Sequence, residues 1–318
     1  MKNIYSNIYK PNLSNLIKAK KILENNKVIG IPTETVYGLA GNAYSNKAVK
    51  KIYKLKKRPS INPIIIHYSK LKMLKQDVII NSNFIRLYKT LCPGPVTFIL
   101  NKKLKSKISR IATANKKTVA VRFPKHKVAI KLLNILETPL AAPSANISSK
   151  LSPTSSLDVV DEFKNKIKFI LDGGKSNIGL ESTIIDLTNN IKILRPGIVS
   201  HKKIKKILKK NIKISKKVKK IKSPGQFKKH YYPGIPVILK ERKAKENEAV
   251  VVFGKKFKPK RNYFNLSENG NLKEAASNLY RTLRKIKNKG FKSIIVNKIP
   301  NVGVGIAIND RLKKASNK

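Results

Sequence analysis

Short polar segments follow several apolar runs of the chain, and their residue types suit the handling of phosphate. The six segments are 32–39, 56–63, 118–124, 143–146, 179–183 and 194–197. Three of them carry one of only ten arginines in the chain, namely Arg58, Arg122 and Arg195. A guanidinium group can bind phosphate or carboxylate oxygens in pairs. Each segment alone is also consistent with an ordinary turn that has polar caps, but together they predict one phosphate-handling cleft.

Motifs for other kinds of chemistry are incomplete or absent. Lys175-Ser176 follows two glycines like the end of a phosphate-binding loop, but Phe169 stands where that pattern needs another glycine. The chain has no Gly-x-Ser-x-Gly elbow, and its four histidines lack metal-ligand spacing. We therefore expect no metal held directly by side chains. The single cysteine, Cys92, excludes a disulfide framework and is interpreted as a packed thiol.

Five sequence segments occur in the order and spacing of a known family. They are Pro-Thr-Glu-Thr-Val-Tyr-Gly-Leu at 32–39, Lys-x-Arg-Pro-x-x-Asn-Pro at 56–63, Cys-Pro-Gly-Pro-x-Thr at 92–97, Ala-Pro-Ser-Ala-Asn at 142–146 and Glu-Ser-Thr-Ile-Ile-Asp at 181–186. Over residues 10–315 the chain resembles the YrdC-like threonylcarbamoyl-AMP synthases. The resemblance is to the long form of that family, which has an additional C-terminal domain.

The resemblance implies an α/β (α+β) fold. The first domain would be an open, twisted mixed sheet with a large concave cavity, and the second a smaller, Rossmann-like α/β unit. Twelve lysines within residues 201–222 and two Pro-Gly pairs at 224–225 and 233–234 mark the connection. We predict a catalytic domain over 1–202, a basic linker over 203–235 that forms a lid on the active site, and a C-terminal domain over 236–318.

The resemblance also implies the activity. ATP, L-threonine and bicarbonate would give threonylcarbamoyl-adenylate and pyrophosphate, with Mg²⁺ bound through the ATP phosphates. The product would feed a threonylcarbamoyl-transferase complex that modifies the adenosine beside the anticodon in tRNAs reading codons that begin with A. A carboxylated threonine is already an anionic nucleophile, so such a reaction needs positioning and charge stabilisation rather than a catalytic dyad.

Site residues carry over from the family onto matching positions of this chain. The residues expected to be catalytic are Lys56, Arg58, Ser144 and Asn146. Those expected to contact ATP are Arg58, Asn62, Thr118, Ser144, Ser152, Arg195 and Tyr231. Those expected to hold L-threonine are Thr35, His67, Arg122, Ala142 and Ser182.

The hydrophobic pattern predicts the elements that would position these residues. Predicted strands are 28–31, 64–67, 96–100, 118–122, 140–142, 168–171, 183–187 and 191–195, and predicted helices are 13–24, 45–56, 82–91, 126–136 and 156–163. Segment 32–39 is expected to open a helix whose N-terminus binds an anion, or else to be a simple helix cap. The C-terminal part predicts strands at 237–239, 249–253 and 292–296, and helices at 271–288 and from 304. This interleaving indicates a layered α/β or α+β protein.

Composition leaves one alternative of a different class open. The chain has 71 Lys+Arg against 16 Asp+Glu, a net charge of +55 that attracts polyanions. A preference for A/T-rich codons explains much of this lysine excess. The alternative is a non-catalytic RNA-binding protein of the same fold, although aromatic residues are not interleaved with arginine as in an RNA-stacking surface. A carbamoyl-transfer or ribosome-associated relative is a third interpretation, disfavoured by the joint presence of Lys56, Arg58, Ser144 and Asn146.

The sequence also bears on location. It has no 18-residue apolar run and no secretory signal, so we expect neither a membrane span nor export. With a single cysteine, these features favour a cytoplasmic protein.

Overall fold

The computed structural model describes residues 5–215, 223–227, 229–240, 242–257 and 260–317. The first part of the chain forms eleven strands: β1 (Ile8–Tyr9), β2 (Ile29–Ile31), β3 (Gly38–Asn42), β4 (Ile65–His67), β5 (Val96–Asn101), β6 (Thr118–Arg122), β7 (Leu140–Ala141), β8 (Ile170–Leu171), β9 (Thr183–Asp186), β10 (Lys192–Arg195) and β11 (Lys213–Ile214). Its helices are α1 (Leu13–Glu24), α2 (Asn46–Lys56), α3 (Leu71–Asp77), α4 (Ser82–Leu91), α5 (Lys127–Ile135), α6 (Ser156–Phe163) and α7 (His201–Leu208), with a short 3₁₀ helix at Lys164–Lys166.

These strands join into one mixed sheet. Its order is β1-β8-β2-β3-β7-β4-β6-β5-β9-β10-β11. Parallel pairs such as β4 with β6 alternate with antiparallel pairs such as β5 with β6. The mixed sheet confirms the fold class that the resemblance implied.

Side chains alternate between the two faces of the central strands. Ile66, Val121 and Ile185 point into a large apolar core. Their neighbours Ile65, Ala120 and Ile184 belong to a small separate cluster on the opposite face. Because a strand turns successive side chains to opposite sides, the helices cover one face, and the other face is left as the floor of a cleft.

Local sequence explains why the helices begin where they do. Asn12, Ser45, Ser155 and Asn271 each precede a helix and accept a hydrogen bond from a backbone N–H of its first turn. Such caps satisfy donors that the helix itself leaves unpaired. The predicted helices 13–24, 45–56, 82–91, 126–136 and 156–163 are confirmed to within one residue at each end.

The last part of the chain forms a second, smaller sheet. Its elements are β12 (Val237–Ile238), β13 (Glu248–Val252), β14 (Tyr263–Asn265), α8 (Leu272–Asn288), β15 (Ser293–Val296) and α9 (Gly305–Ser316). The strand order is β12-β15-β13-β14, and every pair is parallel. A parallel sheet with helices is the Rossmann-like arrangement that the resemblance implied.

The two sheets share an apolar interface. Val36, Leu151 and Leu180, from three loops of the first unit, belong to the core of the second unit. Arg284 of α8 lies 3.1 Å from Asp158 of α6 in an ion pair. The second unit therefore packs on the same loops that carry predicted site residues.

Two chain segments differ from expectation or lie partly outside the described residues. The helix expected to open within 32–39 is wrong, since residues 38–42 form β3, which pairs with β2 and β7. Pairing to two strands outweighs a helix cap because it satisfies the backbone on both sides, and Gly41 lets α2 approach to contact distance. Helix 201–208 packs on the first core, while residues 216–222 of the predicted linker lie outside the described residues. The domain boundaries remain a prediction.

No helix of the described chain has the length and apolar character needed to cross a bilayer.

The interface predicts a sensitive glycine. Gly179 has φ +70, and a Cβ at that position would lie 2.7 Å from the backbone of Ser277. Gly174 has φ +71 but no described atom within 4 Å of the same point, so it is a matched control. We expect Gly179→Ala to lower the free energy of unfolding by about 3 kcal/mol and Gly174→Ala by about 1 kcal/mol. Urea unfolding measures both, and equal losses would contradict close packing at Gly179.

Candidate active site

A cleft lies over the uncovered face of the central strands. Its lining comes from loops and strand ends of the first unit and from the segment before the second unit. The lining residues are Thr33, Val36, Tyr37, Gly38, Arg58, Ile65, His67, Arg122, Ala142, Pro143, Ser144, Glu181, Arg195, Pro224, His230 and Tyr231. The predicted residues among them are Arg58, His67, Arg122, Ala142, Ser144, Arg195 and Tyr231.

Strand register places the predicted residues along the cleft floor. Ile65 pairs with Ala120, and His67 pairs with Arg122, so these side chains share one face. Thr118 lies on that face too, at the start of β6 and about 13 Å from Arg122 along the strand. The floor therefore has two ends, one marked by His67 and Arg122 and the other by Thr118.

Arg58 is fixed at the Thr118 end of the floor. It is 9% exposed and donates from Nε to the Asn62 carbonyl oxygen at 2.9 Å. Its Nη2 donates to Asn62 Oδ1 and to the Pro63 carbonyl oxygen, both at 2.7 Å. None of these bonds uses Nη1. Asn62 is not among the described residues that line the cleft. It orients Arg58 by accepting two of its hydrogen bonds.

Lys56 lies behind the cleft wall rather than in it. Its Nζ donates to the carbonyl oxygens of Ser144, at 2.5 Å, and Asn146. Asn146 donates from Nδ2 to the carbonyl oxygens of Ile147 and Lys150, which closes the turn. Burial and the nearby Arg58 lower the pKa of Lys56 well below its ordinary value. The four predicted catalytic residues are thus brought together, with Lys56 and Asn146 shaping the turn that presents Ser144.

Arg195 enters the cleft from β10. Its Nε donates to the Ser182 carbonyl oxygen and its Nη2 to Ser182 Oγ, both at 3.1 Å. Ser182 Oγ also lies 2.7 Å from Thr97 Oγ1. Ser182 is not among the described residues that line the cleft. It holds Arg195 by accepting these two hydrogen bonds.

Unsatisfied polar atoms converge at the other end. Arg122 Nη2 lies 2.8 Å from Glu34 Oε1, and both side chains are buried. Arg122 Nε, Glu34 Oε2 and His67 Nδ1 have no hydrogen-bond partner within the described chain. Burial and Arg122 lower the pKa of His67 well below its ordinary value, so its imidazole is neutral at neutral pH. Buried polar atoms are normally paired, and these therefore point to a polar ligand.

Two more predicted residues lie beneath the lining. Thr35 is fully buried, and its hydroxyl is 2.9 Å from that of Thr33, which does line the cleft. Ser152 is also buried and donates from Oγ to Glu181 Oε1 at 2.6 Å. Both contact lining residues rather than the open cleft.

The segment before the second unit covers the cleft. Pro224, His230 and Tyr231 belong to the lining, and Tyr231 is 1% exposed. Tyr231 stacks on Tyr280 of α8 with ring centroids 5.6 Å apart. Lys314 of α9 donates to the Gly225 carbonyl oxygen at 2.9 Å. The second unit thus touches the segment that covers the cleft.

Sequence reasoning missed several cleft residues. Glu34 and Glu181 stand inside the polar segments, and His230 stands in the predicted linker, but the sequence assigns none of them a role. Acidic residues number only 16 in this chain, so their occurrence in two polar segments was an available signal. Tyr280 and Arg311 gave no such signal, because nothing in their local sequence indicates contact with residue 181.

These features define an α/β protein in which an arginine-rich buried cleft lies between a mixed sheet and a second, parallel-sheet unit. Residues 21–197 match a family model for Sua5, YciO and YrdC, described as "Telomere recombination". Residues 199–317 match the model described as the C-terminal domain of threonylcarbamoyl-AMP synthase. The chain belongs to the Sua5/YciO/YrdC family, in the form that carries this second domain.

Individual relatives agree over almost the whole chain. The threonylcarbamoyl-AMP synthase of Pyrococcus abyssi is 38% identical, covering 94% of this chain and 93% of the relative. That of Bacillus subtilis is 33% identical, covering 95% and 92%. A crystal structure of P. abyssi Sua5 complexed with L-threonine has a TM-score of 0.88 at 35% identity, covering 97% of this chain and 96% of that one. The family and fold implied by the sequence are therefore confirmed.

The buried histidine predicts a pH dependence of stability. Folding keeps His67 neutral, whereas in the unfolded chain it binds a proton below about pH 6.5. The unfolded state then holds more protons, so stability falls as the pH decreases from 6.5, by up to about 1.4 kcal/mol per pH unit.

His67→Gln should remove this contribution, as measured by urea unfolding between pH 7.5 and 5.5. An unchanged slope in His67→Gln would contradict the assignment.

Proposed function

We propose that this protein is a threonylcarbamoyl-AMP synthase. It converts ATP, L-threonine and bicarbonate into threonylcarbamoyl-adenylate, pyrophosphate and water. The observation that carries the proposal is the cleft itself, in which buried arginines occupy both ends of one strand-built floor. Near full-length similarity to enzymes of that name supports it.

The end at Arg122 suits an amino acid. The unpartnered Arg122 Nε can donate to the threonine carboxylate, and the unpartnered Glu34 Oε2 can accept from its amino group. Neutral His67 can exchange a hydrogen bond with the threonine hydroxyl. Ala142, Thr35 and Ser182 complete the predicted threonine contacts. The complex of P. abyssi Sua5 with L-threonine supports threonine as a ligand.

Arg58 and Arg195 suit a nucleotide. Both guanidinium groups are pre-oriented by backbone carbonyls, so they bind phosphate oxygens with little loss of side-chain freedom. Ser144 and Tyr231 line the same cleft. Three further residues remain predicted ATP contacts, namely Asn62, Thr118 and Ser152. Asn62 bonds Arg58, Thr118 begins β6, and Ser152 bonds Glu181.

The reaction asks little of proton transfer. The threonine amine and bicarbonate give a carbamate with loss of water, and a carbamate oxygen then attacks the α-phosphorus of ATP. The new O–P bond forms as the bond to pyrophosphate breaks, so negative charge accumulates on the leaving group. Arg58 and Arg195, already oriented, stabilise that charge, and Lys56 contributes positive potential from behind the Ser144 turn.

Mg²⁺ would neutralise the phosphates when bound with ATP. The described residues contain no group of three side chains that could cage a metal. Glu181, which lines the cleft, and Glu34, which pairs with the lining residue Arg122, are each held by an arginine. We infer that Mg²⁺ is carried by the phosphates and that the protein provides the cations around them.

The product implies partners beyond the substrates. We propose that it passes to a threonylcarbamoyl-transferase complex acting on tRNA in the cytoplasm. The net charge of +55 supports contact with tRNA, and it equally supports the alternative of a non-catalytic RNA-binding protein. The two functions differ in whether threonine triggers chemistry.

Pyrophosphate release tests the activity. With ATP, Mg²⁺ and bicarbonate, we expect release that requires L-threonine and is much slower with L-serine. Arg58→Ala should lower kcat/KM for ATP by about 100-fold, because one preorganised charge-stabilising donor is lost. Lys56→Ala should also abolish most activity. Arg86→Ala, at an exposed position on α4, is the matched control and should behave as wild type.

The opposite result selects the alternative. No threonine-dependent release, together with tRNA binding whose affinity falls steeply and without sequence preference as salt rises, would mean an RNA-binding protein.

Tyr231 tests the covering segment. Tyr231→Ala should raise KM for ATP about tenfold, because it removes the ring that stacks on Tyr280 and closes the cleft. Tyr231→Phe keeps the ring and should change KM far less. Steady-state pyrophosphate release at saturating threonine measures both, and an unchanged KM in Tyr231→Ala would overturn the role of this segment.

A further inference from the structure

A buried carboxylate joins the cleft to the second unit. Glu181 lines the cleft and accepts hydrogen bonds from three groups. Ser152 Oγ of the first unit donates to Oε1 at 2.6 Å. Tyr280 OH of α8 and Arg311 Nε of α9 donate to Oε2, at 3.0 and 2.9 Å. All four side chains are buried, so the second unit occupies most of the hydrogen-bonding capacity of this carboxylate.

Glu181 faces two guanidinium groups. Burial alone raises the pKa of Glu181, but Arg311 and Arg195 outweigh it and lower the pKa to about 2. The carboxylate is therefore ionised at neutral pH. Arg311 bonds it directly, whereas Arg195 is turned toward Ser182. The charge of Glu181 is thus matched to Arg311, and Arg195 stays available to a ligand.

Arg311 makes a second contact with the site. Its guanidinium carbon lies 5.3 Å from the ring centroid of Tyr231, and the ring packs on Tyr280 from another side. Arg311 is 1% exposed, and its Nη1 donates to Asp310 Oδ2 at 2.7 Å. One side chain of α9 therefore reaches both the carboxylate beneath the cleft and the aromatic ring above it.

We propose that Arg311 is a positioning residue for the nucleotide end of the cleft, which rests on the proposed function. It holds Glu181 away from Arg195 and supports Tyr231 through its cation–π contact. When Arg311 is absent, Glu181 loses its bonded cation, and Arg195, the second guanidinium group that it faces, can pair with it. Once it is paired with Glu181, Arg195 attracts phosphate less strongly. Within the described residues, Arg122 and His67 make no hydrogen bond to Glu181, Arg311 or Tyr231. Ser182, which bonds Arg195, is the link between the network and the predicted threonine contacts, so threonine affinity changes less than ATP affinity.

The test is Arg311→Met, alone and combined with Glu181→Gln. Arg311→Met should raise KM and the dissociation constant for ATP about tenfold or more, since a charged donor to phosphate is lost. KM for threonine should stay within about twofold. The double variant has no stray carboxylate, so it should recover most of the ATP affinity. Arg242→Met, which also removes an arginine paired with a glutamate in the second unit, is the matched control.

A purely structural role gives a different pattern. If Arg311→Met raises both Michaelis constants equally, or the double variant binds ATP no better than the single one, the proposal is overturned. If Arg311→Met does not fold, the same comparison is made with Arg311→Lys and Arg311→Lys/Glu181→Gln, where a cation remains but the fork does not.

The proposed function is checked separately. Threonine-dependent pyrophosphate release by the wild-type protein decides that function first. Calorimetric ATP binding by the variants then decides the role of Arg311 without relying on turnover. Normal wild-type turnover with unaltered ATP binding in Arg311→Met would reject the positioning role alone.

Discussion

The structure depends on keeping several positive charges buried around one cleft. Like charges in a low-dielectric interior repel strongly and lose their hydration, so each needs its own acceptors. Arg58 and Lys56 donate to backbone carbonyls, and Arg195 donates to Ser182. Arg122 and Arg311 each pair with a glutamate. The turns and loops that supply these carbonyls are the quoted sequence segments. The conformation of these segments therefore determines whether the positive charges of the cleft can be buried.

The central strands form the floor on which these charged groups are positioned. Their inner face packs on helices, while their outer face carries only a few small or branched apolar residues, such as Ala120 and Ile184, flanked by polar ones. A short, rigid floor runs about 13 Å along β6 from Thr118 to Arg122. A cleft with cations fixed at both ends can hold an amino acid and a nucleotide in one line. This is what joining them through phosphate demands.

The second unit completes the cleft from outside. Its helices α8 and α9 reach Glu181, Tyr231 and Gly225, so its packing and the closure of the cleft are linked. Apolar residues of three first-unit loops belong to its core, which ties the same loops down. A change in the second unit therefore acts first on Glu181 and Tyr231, the cleft residues that its helices contact.

The sequence by itself determined the elements and the family. Helix caps such as Ser45 and the alternation around Ile65 are local, so spacing and residue type sufficed, and the quoted segments identified the relatives. It also identified Arg58, Arg122 and Arg195 as cleft residues. Only the tertiary structure decided that Gly38–Asn42 is a strand, because one of its two partners, β7, is distant in the chain. It alone showed that Lys56 lies behind Ser144, and that Arg311 bonds a glutamate 130 positions away. Contacts between distant segments leave no periodicity in either one, and local pattern cannot reveal them.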